Sequence, residues 1–263
     1  MSSLDPHVPV DAQQDPWLLF HGTSNLFESR VRKEGLRARK PVFSIDQLTA
    51  VADIFEALSW SGEHPGGYAV LKPFSIGHDF SQRRGQPIFL AESALRAATF
   101  ATADFAGGEV CRALSYCLAD LERYVSDDVL REKHYERCER RPGMSRLPRE
   151  MLPTVDFVAT ALAKLKPLVE RVAALRAQYT CGVIYAIRIS PDNLDELAYH
   201  SSMGIKCFRA IRVAELESSF QIPSDYEPPV FEEDKRLIEI AMGEDGIVNT
   251  IRQLDAQLKT SPE

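Results

Sequence analysis

The sequence predicts an α+β fold, and three observations carry that prediction. Four short apolar runs read as buried strands, at Trp17–His21, Pro87–Ala91, Cys181–Ile189 and Lys206–Val213. The first two are each followed by a helical pattern, so the chain begins strand–helix, strand–helix. A block of helical periodicity then occupies residues 109–178, before the last two strands. Helices gathered into a block, rather than alternating with strands throughout, indicate α+β with a helical insertion.

Each element has its own signal. Residues 1–15 (MSSLDPHVPVDAQQD) are polar and proline-bearing, which reads as a flexible leader. They lack the basic n-region and apolar h-region of a Sec signal. Asn25–Glu34 carries Leu26, Phe27 and Val31 on a partial helical period, and Gly35 stands where a terminating glycine belongs. In residues 41–60, Ile45, Leu48, Val51, Ala52 and Phe55 fit one helical face. Residues 61–87 are rich in glycine and proline and read as loop, with a strand at Tyr68–Leu71. Glu92 or Ser93 opens an alanine-dense helix over Ala94–Phe105, ended by Gly107-Gly108. Residues 109–126 and 154–178 are helical, separated by a basic, proline-broken segment that reads as a solvated face or loop. Residues 223–263 form an acidic C-terminal extension with an amphipathic helix over Asp234–Lys259.

Composition narrows the function. The 263 residues are 44% hydrophobic, ample for a core. A formal net charge of −7 argues against gross affinity for nucleic acid, although residues 131–149 hold seven Lys/Arg against three Glu. Five cysteines (Cys111, Cys117, Cys138, Cys181, Cys207) without CxxC or zinc spacing suggest a reducing compartment and no metal site. His64, His78, His134 and His200 are scattered, with no ligand spacing on one helix. No apolar stretch is long enough to span a bilayer, so no membrane partner is expected.

The chemistry concentrates at the end of the first strand, where Trp17-Leu18-Leu19-Phe20 runs into His21-Gly22-Thr23. A glycine there leaves its backbone N–H and C=O uncovered for a ligand. The neighbouring imidazole and hydroxyl can bond a sugar diol. A strand-to-helix corner, with Thr23 or Ser24 capping the next helix, would use the same residues.

"HGTSNLFESRVRKEGLRA" followed by "QPIFLAESALRAATFAT" resembles the ADP-ribosyltransferase superfamily, in its poly(ADP-ribose)-polymerase and diphtheria-toxin-like branch. In that family a His-Gly-Ser/Thr strand precedes a helix ending in Gly-Leu, matched here by Gly35-Leu36. An aromatic-aromatic-Ala strand follows, with a second aromatic eleven residues after the first. Phe89-Leu90-Ala91 and Phe100 occupy those positions. The resemblance implies a split β-sandwich over residues 16–222, with the helical insertion at about 109–178.

It also implies NAD as substrate. His21 would contact a ribose hydroxyl, Gly22 would pair through its backbone with the nicotinamide carboxamide, and Thr23 would sit beside it. Phe89 and Phe100 would flank the ring, next to Ala91, and Arg83 and Arg84 would reach the pyrophosphate. The family's late-strand glutamate falls here on Lys206 or Cys207, which departs from the pattern. Glu92, Glu196, Glu215 and Glu217 are the nearby acids, and His200 with Ser201-Ser202 would line the same cleft.

The expected activity is therefore NAD-dependent mono-ADP-ribosyl transfer, a glycosyltransferase reaction releasing nicotinamide, to an acceptor that is protein, nucleic acid or small molecule. The alternatives are an NAD- or ADP-ribose-binding pseudoenzyme lacking the glutamate, whose insertion holds a protein partner, and an RNA 2′-phosphotransferase-like enzyme. The expected location is cytoplasmic, or the cytosol of a target cell reached by an effector or toxin without a Sec signal.

Overall fold

The computed structural model of the chain describes residues 6–15, 17–37, 42–75, 88–140, 148–200 and 204–228. The expected C-terminal helix, and Arg83, Arg84, His78, Ser201 and Ser202, lie outside them. The chain divides into two compact units. One comprises Met1–Lys40, Phe80–Ala106 and Gln178–Glu263, and the other Pro41–Asp79 and Gly107–Ala177.

In the first unit, a short helix α1 (Val10–Gln14) lies within the segment read as a flexible leader. Strand β1 (Leu18–Ser24) then leads through a 3-10 turn into α2 (Glu28–Glu34), which Gly35 closes at φ 72°. Strand β2 (Ile88–Leu90) is followed by α5 (Ala94–Ala101), whose N-cap Ser93 accepts a bond from the Arg96 amide. The helix ends before Phe105, which falls instead in a short 3-10 turn. Strands β3 (Cys181–Arg188), β4 (Leu197–His200), β5 (Gly204–Cys207) and β6 (Leu216–Pro223) complete the unit.

The strand read at Lys206–Val213 begins two residues earlier and stops at Cys207. Its continuation is spent on ion pairs: Arg209 lies 2.6 Å from Glu196 and 2.5 Å from Glu215, and Arg212 reaches Glu215 at 3.2 Å. Leu36 and Ile211 form an isolated backbone bridge there.

The strands make two antiparallel three-stranded sheets, in the orders β1-β3-β6 and β2-β5-β4. A bridge between Phe20 and Ala91 joins β1 to the end of β2. Period-two alternation gives each sheet two distinct faces. Leu19, Val183, Tyr185 and Ile187 of the first sheet share one core with Ile88, Leu90, Leu197, Ile205 and Cys207 of the second. The opposite face of the first sheet, with Leu18, Phe20, Ile184, Ala186 and Ile222, is covered by Ala94, Ala97, Ala98 and Ala101 of α5.

The second unit is helical. It contains α3 (Ile45–Leu58), α4 (Pro65–Ser75), α6 (Glu109–Ser126), α7 (Asp128–Glu139) and α8 (Val155–Ala177). Ser44 and Gln47 form a capping box at the start of α3. Leu48, Val51, Ala52 and Phe55 are buried as the helical face predicts, whereas Ile45 is exposed.

Two readings are corrected here. Residues 65–75 are helix, not loop with a strand at Tyr68–Leu71, because Tyr68 and Leu71 recur at helical spacing and α4 packs on α3 and α6. The basic segment begins as helix α7, with His134 buried and hydrogen-bonded to the Leu58 carbonyl oxygen at 2.9 Å. The helical unit thus takes the stretch Pro41–Asp79 in addition to the block seen in the sequence.

Candidate functional site

The motif that ends β1 sits at the junction of the two sheets. Phe20 and Ala91 exchange both backbone bonds, at 2.8 and 2.7 Å. In an antiparallel ladder the edges alternate residue by residue, so the N–H and C=O of Gly22 point to the same side as those of Phe20. In that register Gly22 comes level with Phe89, but the two sheets part after the single Phe20–Ala91 bridge, and β2 pairs with β5 instead. Among the described residues, no strand pairs with Gly22 on that edge. An N–H and C=O side by side without a strand partner have the complementarity to bond a primary carboxamide.

Gly22 is glycine for a second reason. A Cβ at this position would stand 1.8 Å from the Ala97 carbonyl oxygen and 3.2 Å from the Ala101 nitrogen. The absence of a side chain therefore serves the seating of α5 on β1.

His21 lies on the other face of β1, opposite Tyr185 in the register. Its Nδ1 is 3.0 Å from the Phe89 carbonyl oxygen. A carbonyl only accepts, so Nδ1 carries the proton and Nε2 presents a lone pair. Burial favours the neutral ring and holds the imidazole pKa below its ordinary value, although the bond to Phe89 acts to raise it. With Nδ1 committed to Phe89, a hydroxyl bonded to the other ring nitrogen must donate to it.

Phe89 is half-buried and lies directly opposite Lys206 across β2 and β5, so both side chains share a face. Ala91 is buried in the α5 core, and Thr23 is half-buried on the same face as His21. Phe100 projects from α5 with 40% of its surface exposed, against the edge of Phe105 at 5.1 Å between ring centroids. The structure therefore joins His21 to Phe89 by a hydrogen bond, and Gly22 to the helix that bears Phe100.

Cys207 is not part of this group. Its side chain faces the core with Ile205 and is fully buried. Burial pushes its thiol pKa up, which disfavours the thiolate. Of the two positions left open for the family glutamate, Lys206 is the one on the Phe89 face. The nearby acids are committed elsewhere: Glu196 and Glu215 to Arg209, and Glu217 to Arg188 at 2.5 Å.

Glu92 has a different setting. Its carboxylate is fully buried and pairs with Arg96, itself 3% exposed, at 2.5 Å. Its Oε2 has no hydrogen-bond partner among the described residues and lies 3.3 Å from where a Cβ would sit on Gly204, the first residue of β5. A buried acid thus stands at the head of the strand on which the family glutamate would be sought, supplied by a different segment.

Tyr185 was missed in the sequence. Its hydroxyl is buried without a hydrogen-bond partner among the described residues, and burial pushes its pKa up to about 12. The signal was a single polar-tipped side chain inside the apolar run GVIYAI.

No family model matches the chain, and no curated protein or solved structure matches it either. Among the described residues no group of His, Cys, Asp and Glu could hold a metal ion, and no helix is long and apolar enough to cross a membrane.

Proposed function

We propose that the β-sheet unit binds NAD and transfers a single ADP-ribose unit from it, on an ADP-ribosyltransferase-like split β-sandwich. The observation that carries this reading is the uncovered backbone edge of Gly22, held beside the His21–Phe89 hydrogen bond. The Gly22 N–H and C=O would take the carboxamide of nicotinamide. His21 Nε2 would accept from a ribose hydroxyl, because Nδ1 is committed to Phe89. Phe89 and Phe100 supply aromatic surface for the ring.

In the reaction the bond between ribose C1 and the nicotinamide nitrogen breaks. Its electron pair goes to the cationic ring, which leaves neutral, and an acceptor nucleophile captures the sugar cation. All five cysteines are free, in keeping with action in a reducing cytosol.

A second reading, a binding module for NAD or ADP-ribose, is favoured by Lys206. An ammonium on the Phe89 face opposes rather than stabilises a developing sugar cation. Nicotinamide release and NAD binding, measured together on wild type, His21→Ala and Lys206→Glu, separate the readings. Transfer chemistry predicts release by wild type that the His21 variant loses. A binding module predicts heat of binding without release, with release appearing only in Lys206→Glu. A wild type that does not bind NAD and releases no nicotinamide would remove the NAD reading.

A further inference from the structure

The basic segment that the sequence singles out remains outside this function, and it borders a cavity in the helical unit. The cavity has a volume of about 540 Å³ and is lined, among the described residues, by Ser59, Trp60, Ser61, Lys133, Arg137 and Arg140, among others. A second hollow of about 130 Å³ shares Trp60, Lys133 and Arg137 with it. Three cations face one carboxylate in the larger cavity, on a chain whose net charge is −7.

The partners of the neighbouring cations isolate two of these residues. Arg131 donates to the Tyr124 and Val125 carbonyl oxygens at the end of α6, at 2.6 and 2.7 Å. Arg140 lies 3.8 Å from Glu136. Arg149 pairs with Glu132 at 2.8 Å and stacks over Tyr135. Lys133 and Arg137 are exposed and have no ion pair among the described residues. They stand one turn apart on α7, a like-charge spacing that destabilises a helix. Two such charges over a concave surface form an anion-binding arrangement.

The floor also carries polar groups. Ser59 and Ser61 flank Trp60, which is buried between Phe55 and His134 with its indole Nε1 unpartnered among the described residues. His134 fixes this floor to α7 through its bond to the Leu58 carbonyl oxygen. Two cations, two hydroxyl residues and a volume in the range of small-molecule sites match a phosphate group carried by a small molecule. We infer that this cavity is a phosphate-binding site, with Lys133 and Arg137 as its principal ligands. It does not depend on the NAD reading.

The test is thermal unfolding and calorimetry of the full chain with inorganic phosphate and, separately, adenosine monophosphate, at constant ionic strength. Three proteins are compared: wild type, Lys133→Gln with Arg137→Gln, and a charge-matched control with Lys164→Gln and Lys166→Gln on α8. The inference expects saturable binding by wild type and control, weakened at least about tenfold in the α7 variant. Tighter binding of the nucleotide would assign the phosphate to an organic body, and equal affinity would assign it to the free ion. Equal melting shifts in all three proteins, the signature of general salt exclusion, would overturn the site. So would the absence of binding in wild type.

Discussion

The Ala97 carbonyl oxygen occupies the space that a side chain on residue 22 would need, 1.8 Å from the position of a Cβ. Gly182 on β3 repeats the arrangement, with the Ala101 carbonyl oxygen at 2.1 Å. These two glycines let the alanine face of α5 lie directly on the sheet. Because the obstructing atoms are backbone, no side-chain rotation relieves the contact.

Gly22→Ala should therefore destabilise the protein by about 3 kcal/mol, at the upper end of typical overpacking costs. Gly66→Ala is the internal comparison. It lies in α4 with nothing within 4 Å of its Cβ position, and should stabilise by about 0.5 kcal/mol. Urea unfolding of the two variants checks both signs.

The His21 imidazole should titrate below its ordinary 6.5, read as the midpoint of its ring-proton shifts. Below pH 6.5 the unfolded chain takes up the proton before the folded chain does. The contribution of His21 to stability is thus fully present above 6.5, and is lost as pH falls through the folded value. His21→Gln should flatten the stability profile in that window.

Glu92 and Arg96 form a buried pair, so removing either alone should cost about 3–5 kcal/mol. The double variant Glu92→Leu with Arg96→Met should recover most of that loss. Chemical denaturation of the three proteins provides the measurement, and two additive losses would contradict the pairing.

Asp120 is 99% buried by its side chain and receives the His64 amide at 3.0 Å and the His64 ring Nδ1 at 2.9 Å. Asp120→Ala should cost about 1.5–3 kcal/mol by removing two hydrogen bonds to a charged acceptor. Loss of hydrogen-exchange protection confined to the turn at residues 61–64 would identify the cause.

The sequence showed the elements whose signal is local. The apolar run of β3, the Ser93 cap and the glycine stop at Gly35 all stand where the residues predict. It did not show α4, because Gly66, Gly67 and Pro73 read as breakers while packing against α3 and α6 decides the conformation. It also missed β6, whose Glu217, Ser218 and Ser219 are too polar for a core run; this edge strand is held by its ladder to β3. The proximity of His21 to Phe89 followed from the family resemblance, since nothing in either strand alone predicts their pairing. The buried Glu92 near Gly204 depends on two distant segments meeting, which no spacing in one segment reveals.

The position of β3 between β1 and β6 sets the order of assembly during synthesis. β1 ends at Ser24, yet its ladder partner is complete only at Arg188. At translation speeds of about 5–20 residues per second, the first strand waits on the order of 10–30 s for a neighbour. Both stretches of the helical unit leave the ribosome before that partner is finished. The nascent chain thus carries an unpaired apolar edge, Leu18-Leu19-Phe20, through most of its own translation. Expression yield should depend on elongation rate and chaperone supply more than on the stability of the finished protein.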